Sequence, residues 1–298
     1  MGRSISIILP TIEEESIFGI VDDLRKSLGS GIEIIIVDKS SNEYRKRLRS
    51  IGATVLRQTD RGVENAIMQG MRSAHGDILA SIDADGTHDI SGILKGIGMI
   101  ESGKADIVLG NRMNGLQRGS MDGYIRAGNA ALSRLFSIFY KSEVHDVLTG
   151  LFVVRRRAFE SIRDIDPYRA GIAFFAIELA RRGYRVREVD IKYYKRAYGK
   201  SKLTRFKLVY GVNVASHLIR QIRDYSPLSI FGGIGVVMWL AGMVLGIGVI
   251  SEFISSGTFT LTGRALLAFM LVVLGLLFFV SGLILDMLLE IEKKLIKK

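Results

Sequence analysis

The chain has no cysteine, three prolines and one tryptophan among its 298 residues. Without cysteine there can be no disulfide and no thiolate metal site, which fits a reducing compartment. No G-x-G-x-x-G follows the first apolar run, and no G-x-x-x-x-G-K-[ST] occurs anywhere. A dinucleotide dehydrogenase and a P-loop NTPase are thereby disfavoured. Acidic residues are missing from Lys192 to Arg223, a stretch that carries Lys195, Arg196, Lys200, Lys202, Arg205, Lys207 and Arg220. Charge of either sign is missing from Tyr225 to Ser251 and from Ala265 to Leu285. Both runs exceed the ~18–20 apolar residues needed to cross a bilayer. A signal peptide is not expected, because Arg3 to Pro10 is a short apolar run that leads into an ordinary domain.

Apolar residues make up 48% of the chain and the net charge is +11. Because the basic run ends where the first charge-free run begins, an anionic membrane surface is the expected partner, not nucleic acid. Each juxtamembrane Lys or Arg contributes ~1 kcal/mol there. Apolar residues recur at Leu208, Val212, Ala215, Ile219 and Ile222, which suggests a helix lying in the membrane interface; a core helix is the alternative. The C-terminal tail is again lysine-rich. Positive charge therefore flanks the two runs on the side of both termini, which predicts cytoplasmic termini and an outward-facing loop from Glu252 to Arg264.

Before these runs, strands and helices alternate. Strands are expected at Ser4–Leu9, Ile32–Val37, Ala53–Arg57, Asp77–Ile82 and Ala105–Leu109. Helices are expected from the Glu13–Glu15 run to about Leu28, at Ser41–Ile51, Val63–Ala74 and Ile90–Glu101. That pattern predicts a mostly parallel sheet with helices on both faces. Asn111 to Gly123 reads as a mobile loop, Tyr124–Tyr140 and Ile172–Arg182 as helices, and Leu151–Val154 and Arg185–Tyr194 as strands.

Ligands of such sheets sit outside the carboxyl ends of the strands, where Asp38, Asp83 and Asp85 fall. Asp83-Ala84-Asp85 follows an apolar strand directly, and two carboxylates so placed suit a hard divalent cation that also takes substrate phosphate oxygens. A turn-forming Asp85-Gly86 beside a capping Asp83 would give the same spacing. His88 is expected as a loop hydrogen-bonder, since oxygens suit such an ion better. Arg126 could pair with Asp122, and Glu178 with Arg182, at helical i, i+4 spacing.

An ordered series of short motifs carries a resemblance. It comprises Leu9-Pro10-Thr11 with Glu14, Glu33 to Asp38 followed by Ser40-Ser41, and Arg61-Gly62 with Ala66 and Gly70. Then come Ala74 to Ile78, Asp83-Ala84-Asp85, Gly110-Asn111-Arg112, Asp146 with Thr149-Gly150, and Arg196 to Leu203 with Ser201 and Lys202. Over about two thirds of its length the chain resembles the family 2 glycosyltransferases of GT-A fold, in particular the dolichyl-phosphate mannose synthase and polyprenyl-phosphate glycosyltransferase branch. It departs from that pattern at Ile12-Glu13, Lys39, Thr87, Asp89-Ile90, Ala130 and Val147.

The resemblance implies a GT-A (Rossmann-like, α/β) catalytic domain over residues 1–202, an amphipathic interfacial helix over 203–224, and a two-helix membrane region over 225–298 with spans near 226–251 and 265–286. It implies inverting transfer of a hexose, mannose before glucose, from GDP-mannose or UDP-glucose to a dolichyl or undecaprenyl phosphate, with Mg²⁺ or Mn²⁺. By this analogy Pro10, Glu14, Asp38 and Asp83 hold the nucleotide, and Asp83, Asp85 and Thr87 the metal. Arg112, Arg126 and Arg196, with Ser201 and Lys202, hold the lipid phosphate. A processive polysaccharide synthase shares the fold but carries a Gln-x-x-Arg-Trp motif, and the single tryptophan here, Trp239, lies inside the first charge-free run. A silent membrane scaffold of the same fold is the other alternative.

Overall fold

The computed structural model describes residues 4–167, 172–196, 212, 216, 220, 227–257 and 262–296. The chain forms two compact units, Met1–His217 and Leu218–Lys298. Most of the expected interfacial helix lies outside the described residues.

The first unit is built on a seven-stranded sheet of order β3-β2-β1-β4-β6-β5-β7. Its strands are β1 (Ile5–Thr11), β2 (Glu33–Asp38), β3 (Thr54–Arg57), β4 (Ile78–Ser81), β5 (Ile107–Asn111), β6 (Phe152–Arg155) and β7 (Val186–Asp190). Pairing is parallel throughout except around β6, which runs antiparallel to β4 and β5. The expected strands are all present, with ends shifted by a few residues. β2 and β4 are continuous runs of Ile, Val, Leu and Ala because both sheet faces are covered. On one face Ile7, Leu9, Ile34, Ile36 and Ala80 meet Ile17, Val21 and Leu24 of helix α1 (Ser16–Leu28), and Ile93, Ile97 and Ile100 of helix α4 (Ser91–Glu101). Each such buried side chain contributes roughly 1.5–3 kcal/mol. On the other face helix α3 (Val63–Ser73) presses Gly70 against Ile8 and Val37.

Helix α2 (Asn42–Arg49) begins as expected, with the Ser41 hydroxyl accepting from the Tyr44 N–H at 3.4 Å. Helix α5 (Gly123–Tyr140) follows the loop after β5, the short helix α6 (Arg156–Glu160) was not expected, and helix α7 (Phe174–Arg181) precedes β7. Glu178, buried on α7, pairs with Arg181 at 2.8 Å and with Arg182, as its helical spacing suggests.

Two expectations are corrected, and a third stretch proves to carry tertiary bonds. Pro10 does not end the first strand, which continues to Thr11. Ile8 C=O bonds the Ile82 N–H and Thr11 C=O bonds the Lys39 N–H, so the nitrogen of Pro10 faces the β4 side, beyond the last β1–β4 pair at Ser81. No ladder bond is lost there. The Glu13–Glu15 run lies ahead of α1, not in its first turn. Glu13 adopts a left-handed φ of 49°, and the three carboxylates take tertiary partners instead: Ser41 N–H, Arg196 and Arg47. Finally, the stretch after β5 is held by backbone bonds to Tyr193, which exchanges N–H and C=O bonds with Gly115 and Gln117 at 2.9 Å each.

The second unit contains a short π-helical turn (Leu228–Gly232) leading into helix α8 (Gly233–Ser256), and helix α9 (Thr262–Ile296). Two apolar stretches, Leu228–Ser256 and Thr262–Leu288, are 29 and 27 residues long, enough to cross a ~30 Å hydrocarbon core. Both helices run further than the charge-free runs, so that Glu252 is helical. They pack through backbone: a Cβ on Gly235 would stand 2.5 Å from the Gly275 carbonyl, and one on Gly242 2.8 Å from the Ala268 carbonyl.

Candidate active site

The rim formed by the carboxyl ends of β1, β2 and β4 carries the acids. After β4 the chain turns sharply, with Gly86 at φ 74°, a conformation that glycine adopts without strain. The turn is tied by Asp85, whose Oδ1 accepts from the Thr87 N–H at 3.1 Å and the Thr87 hydroxyl at 2.6 Å. Its Oδ2 accepts from Arg196 Nη2 at 2.6 Å, while Arg196 Nη1 donates to Glu14 Oε1 at 3.2 Å. One guanidinium thus bridges two acids that stand 71 positions apart in the chain (85 − 14).

Asp83 lies beside this bridge with 31% of its side chain open. Glycine at position 150 makes the space, since a Cβ there would stand 2.2 Å from Asp83 Oδ2. Desolvation in this recess, and then the Asp85 carboxylate, push Asp83 up to about 7, against the pull of Arg112 and Arg196. Asp85 goes the other way: burial opposes its charge, but the Thr87 hydroxyl, His88 and Arg196 hold it below the usual carboxylate range. The pair is short of positive charge.

Arg112 enters from the end of β5 and is buried. Its Nε and Nη2 grip Asp146 at 2.6 and 2.8 Å, and Nη2 also reaches the Leu148 carbonyl at 2.9 Å. Asp146 is fully buried and takes a further bond from Asn129 Nδ2 at 2.8 Å. The buried face of α5 is built for this contact, since Asn129 Oδ1 and Ser133 Oγ accept from the Leu148 and Val147 N–H groups. The Arg112 guanidinium also lies 5.3 Å from the Tyr193 ring centre, within cation–π range.

His88 is buried behind the acids, its ring edge-on to Tyr193 at 5.1 Å. Its Nδ1 is 3.1 Å from the Thr87 hydroxyl. That hydroxyl spends its proton on Asp85, so His88 Nδ1 is the donor and Nε2 carries the lone pair. Nε2 is buried with no hydrogen-bond partner among the described residues. Burial, then Arg112, push His88 down to about 4, so the ring is neutral.

The structure therefore gathers Glu14, Asp83, Asp85, Arg112 and Arg196 within electrostatic reach of one another. Asp38 is fully buried at the end of β2 and already bonded, through Oδ1 to the Ser40 N–H at 3.0 Å and through Oδ2 to Arg45 Nε at 3.0 Å. Pro10 is half-buried at the same rim, and Arg126 is exposed on the first turn of α5. Ser201 and Lys202 lie outside the described residues. Sequence reasoning missed the Arg112–Asp146 pair, the Arg196 bridge, the Thr87–His88 relay and the steric role of Gly150. The motif series singled out Arg112, Asp146, Gly150 and Arg196 one by one, but not their pairing.

The donors of the Asp83–Asp85 recess are all oxygens, and among the described residues no third His, Asp or Glu joins them in a metal cluster. Two carboxylates with an excess of negative charge fit Mg²⁺ or Mn²⁺, which complete their shells with water and substrate phosphate.

Residues 6–163 match the family described as Glycosyl transferase family 2. A dolichyl-phosphate hexose transferase of Haloferax volcanii is 31% identical over 206 residues, 68% of this chain and 87% of that protein. A dolichol-phosphate mannosyltransferase of Pyrococcus furiosus is 28% identical over 220 residues, covering 67% and 59%. Among solved structures, glucosyl-3-phosphoglycerate synthase of Mycobacterium tuberculosis, in complex with Mn²⁺, UDP-glucose and phosphoglyceric acid, superimposes with a TM-score of 0.57 at 21% identity, over 74% of this chain and 80% of that one. That likeness establishes the GT-A-like fold.

Proposed function

The chain belongs to glycosyl transferase family 2, and on that premise we propose that it moves a hexose, mannose in the first instance, from a nucleoside diphosphate sugar to a membrane polyisoprenyl phosphate with inversion at the anomeric carbon. The observation that carries this reading is the convergence of Asp83 and Asp85 with Arg112 and Arg196 at one strand rim. The acids suit a donor diphosphate held through a divalent cation, and the guanidinium groups suit a phosphate acceptor.

Asp83 and Asp85 would hold Mg²⁺ or Mn²⁺, which when bound supplies Lewis-acid stabilisation of the departing diphosphate. Thr87 fixes the Asp85 carboxylate in one rotamer by a bond at 2.6 Å. Pro10, Glu14 and Asp38 border the nucleotide side of the rim. A phosphate monoester is already ionised near neutral pH, so the acceptor needs no strong general base. It needs orientation and neutralisation, which Arg196 and the exposed Arg126 provide, with Ser201 and Lys202 shortly after Arg196 in sequence. Arg112, locked on Asp146, contributes fixed positive potential to the recess. The two apolar helices anchor the chain where its acceptor resides, with the catalytic unit and both termini on the cytoplasmic side.

The test is transfer of radiolabel from GDP-mannose or UDP-glucose to dolichyl or undecaprenyl phosphate in vesicles, with Mn²⁺ and with chelator. Lipid-soluble label that appears with Mn²⁺ and vanishes with chelator supports the reading. No lipid-soluble label from either donor overturns it.

A further inference from the structure

We propose that Arg196 is an exchangeable counter-ion: its guanidinium occupies the Asp85 oxygen that a divalent cation takes, and exchange there frees one arm of Arg196 to receive an anion. The inference rests on the transferase reading above and adds to it a charge exchange at Asp85.

Asp85 offers two oxygens. Oδ1 is filled from within its own turn, by the Thr87 N–H at 3.1 Å and the Thr87 hydroxyl at 2.6 Å. Oδ2 holds Arg196 Nη2 at 2.6 Å and, unlike Oδ1, has accepting capacity left for a further partner. A cation entering the Asp83–Asp85 recess meets Asp85 through Oδ2. A guanidinium and a dication on one oxygen would stand about 4 Å apart, where like charges in a partly desolvated site repel strongly. The two positive groups therefore compete.

The local charge count favours exchange over permanent pairing. Among the described residues Glu14, Asp83 and Asp85 are three acids near Arg196, while Arg112 is committed to Asp146 by two bonds. Among these residues Arg196 is the cation that meets Asp85 directly. Its side chain keeps 21% of its surface open, so water can solvate the arm as it leaves. Nη1 stays on Glu14 at 3.2 Å, and this tether keeps the released Nη2 arm at the rim.

The experiment uses the full chain in detergent with Mn²⁺ alone, without donor or acceptor. Mn²⁺ binding is read by the loss of free-ion paramagnetic resonance signal for wild type and Arg196→Gln. Independently, phenylglyoxal modification of Arg196 in the wild type is followed by mass spectrometry with and without Mn²⁺. Exchange predicts Mn²⁺ binding about tenfold tighter in Arg196→Gln, and several-fold faster labelling of Arg196 when Mn²⁺ is added. Equal or weaker Mn²⁺ binding in Arg196→Gln, or labelling indifferent to Mn²⁺, overturns the exchange while leaving the transferase reading intact. Absence of Mn²⁺ binding by both proteins removes the exchange and the metal assignment together. The labelling arm needs no substitution, so a folding defect in the variant does not shield the proposal.

Discussion

Asp146 shows how one buried carboxylate can set a neighbour's chemistry. Burial opposes its charge, yet the Arg112 guanidinium and the Asn129 amide hold it well below the usual carboxylate range. Asp146→Asn leaves Arg112 buried and unpaired, and should lower stability by about 3–5 kcal/mol in a denaturant titration; a loss under 1 kcal/mol would mean that the guanidinium finds another anion. Asp85→Asn belongs to a different class, because on the proposed reading its charge holds the donor's cation. Transfer should drop by roughly 10²–10³-fold, with a circular dichroism spectrum unchanged from wild type. His88 gives a pH signature. Its folded pKa, pushed down to about 4, lies below the ordinary value near 6.5, so neutral imidazole stabilises the fold above pH ~6.5 and that contribution is lost as pH falls towards ~4. The melting temperature of wild type should decline across that window, and that of His88→Gln should decline less. Asp83 and Asp85 were legible because neighbours in sequence stay neighbours at a strand end. Asp146 lies 34 positions after Arg112 (146 − 112), and no local pattern announces a pairing made by folding.

At the scale of elements, short apolar runs bounded by turn residues located the central strands β1, β2, β4 and β5, which are covered on both faces. The half-exposed edge strands β3 and β7 carry a weaker signal. Direction was less legible: β6 reads like its neighbours in sequence and runs the other way. The Glu13–Glu15 run misled because a favourable helix dipole is worth only 0.3–1 kcal/mol, less than the tertiary partners these acids find. Gly150 illustrates a residue whose value is its lack of a side chain. Gly150→Ala would put a Cβ 2.2 Å from Asp83 Oδ2. We expect weaker Mn²⁺-dependent donor binding in calorimetry with little change in melting temperature; wild-type affinity would show that Asp83 has room to move. The seam between α8 and α9 makes a parallel case. Gly275→Val should lower the unfolding midpoint in micelles well below that of Gly263→Val, because nothing lies within 4 Å of a Cβ at 263.

For the whole molecule, sequence alone gave the two-part plan of an α/β unit followed by paired apolar helices, since charge and its absence are additive along a chain. The protein should accordingly stay with membranes through alkaline carbonate washing; release into the supernatant would refute the anchoring role. What composition could not foretell is how closely those helices meet. Backbone touches backbone at Gly235 and Gly275, where even one methyl group would collide. On the proposed reading, a long isoprenoid tail would find no crevice between these two stretches of backbone. It would lie along the outer flank of the helix pair, in direct exchange with surrounding lipid, so that product could diffuse away sideways without any helix parting to let it go.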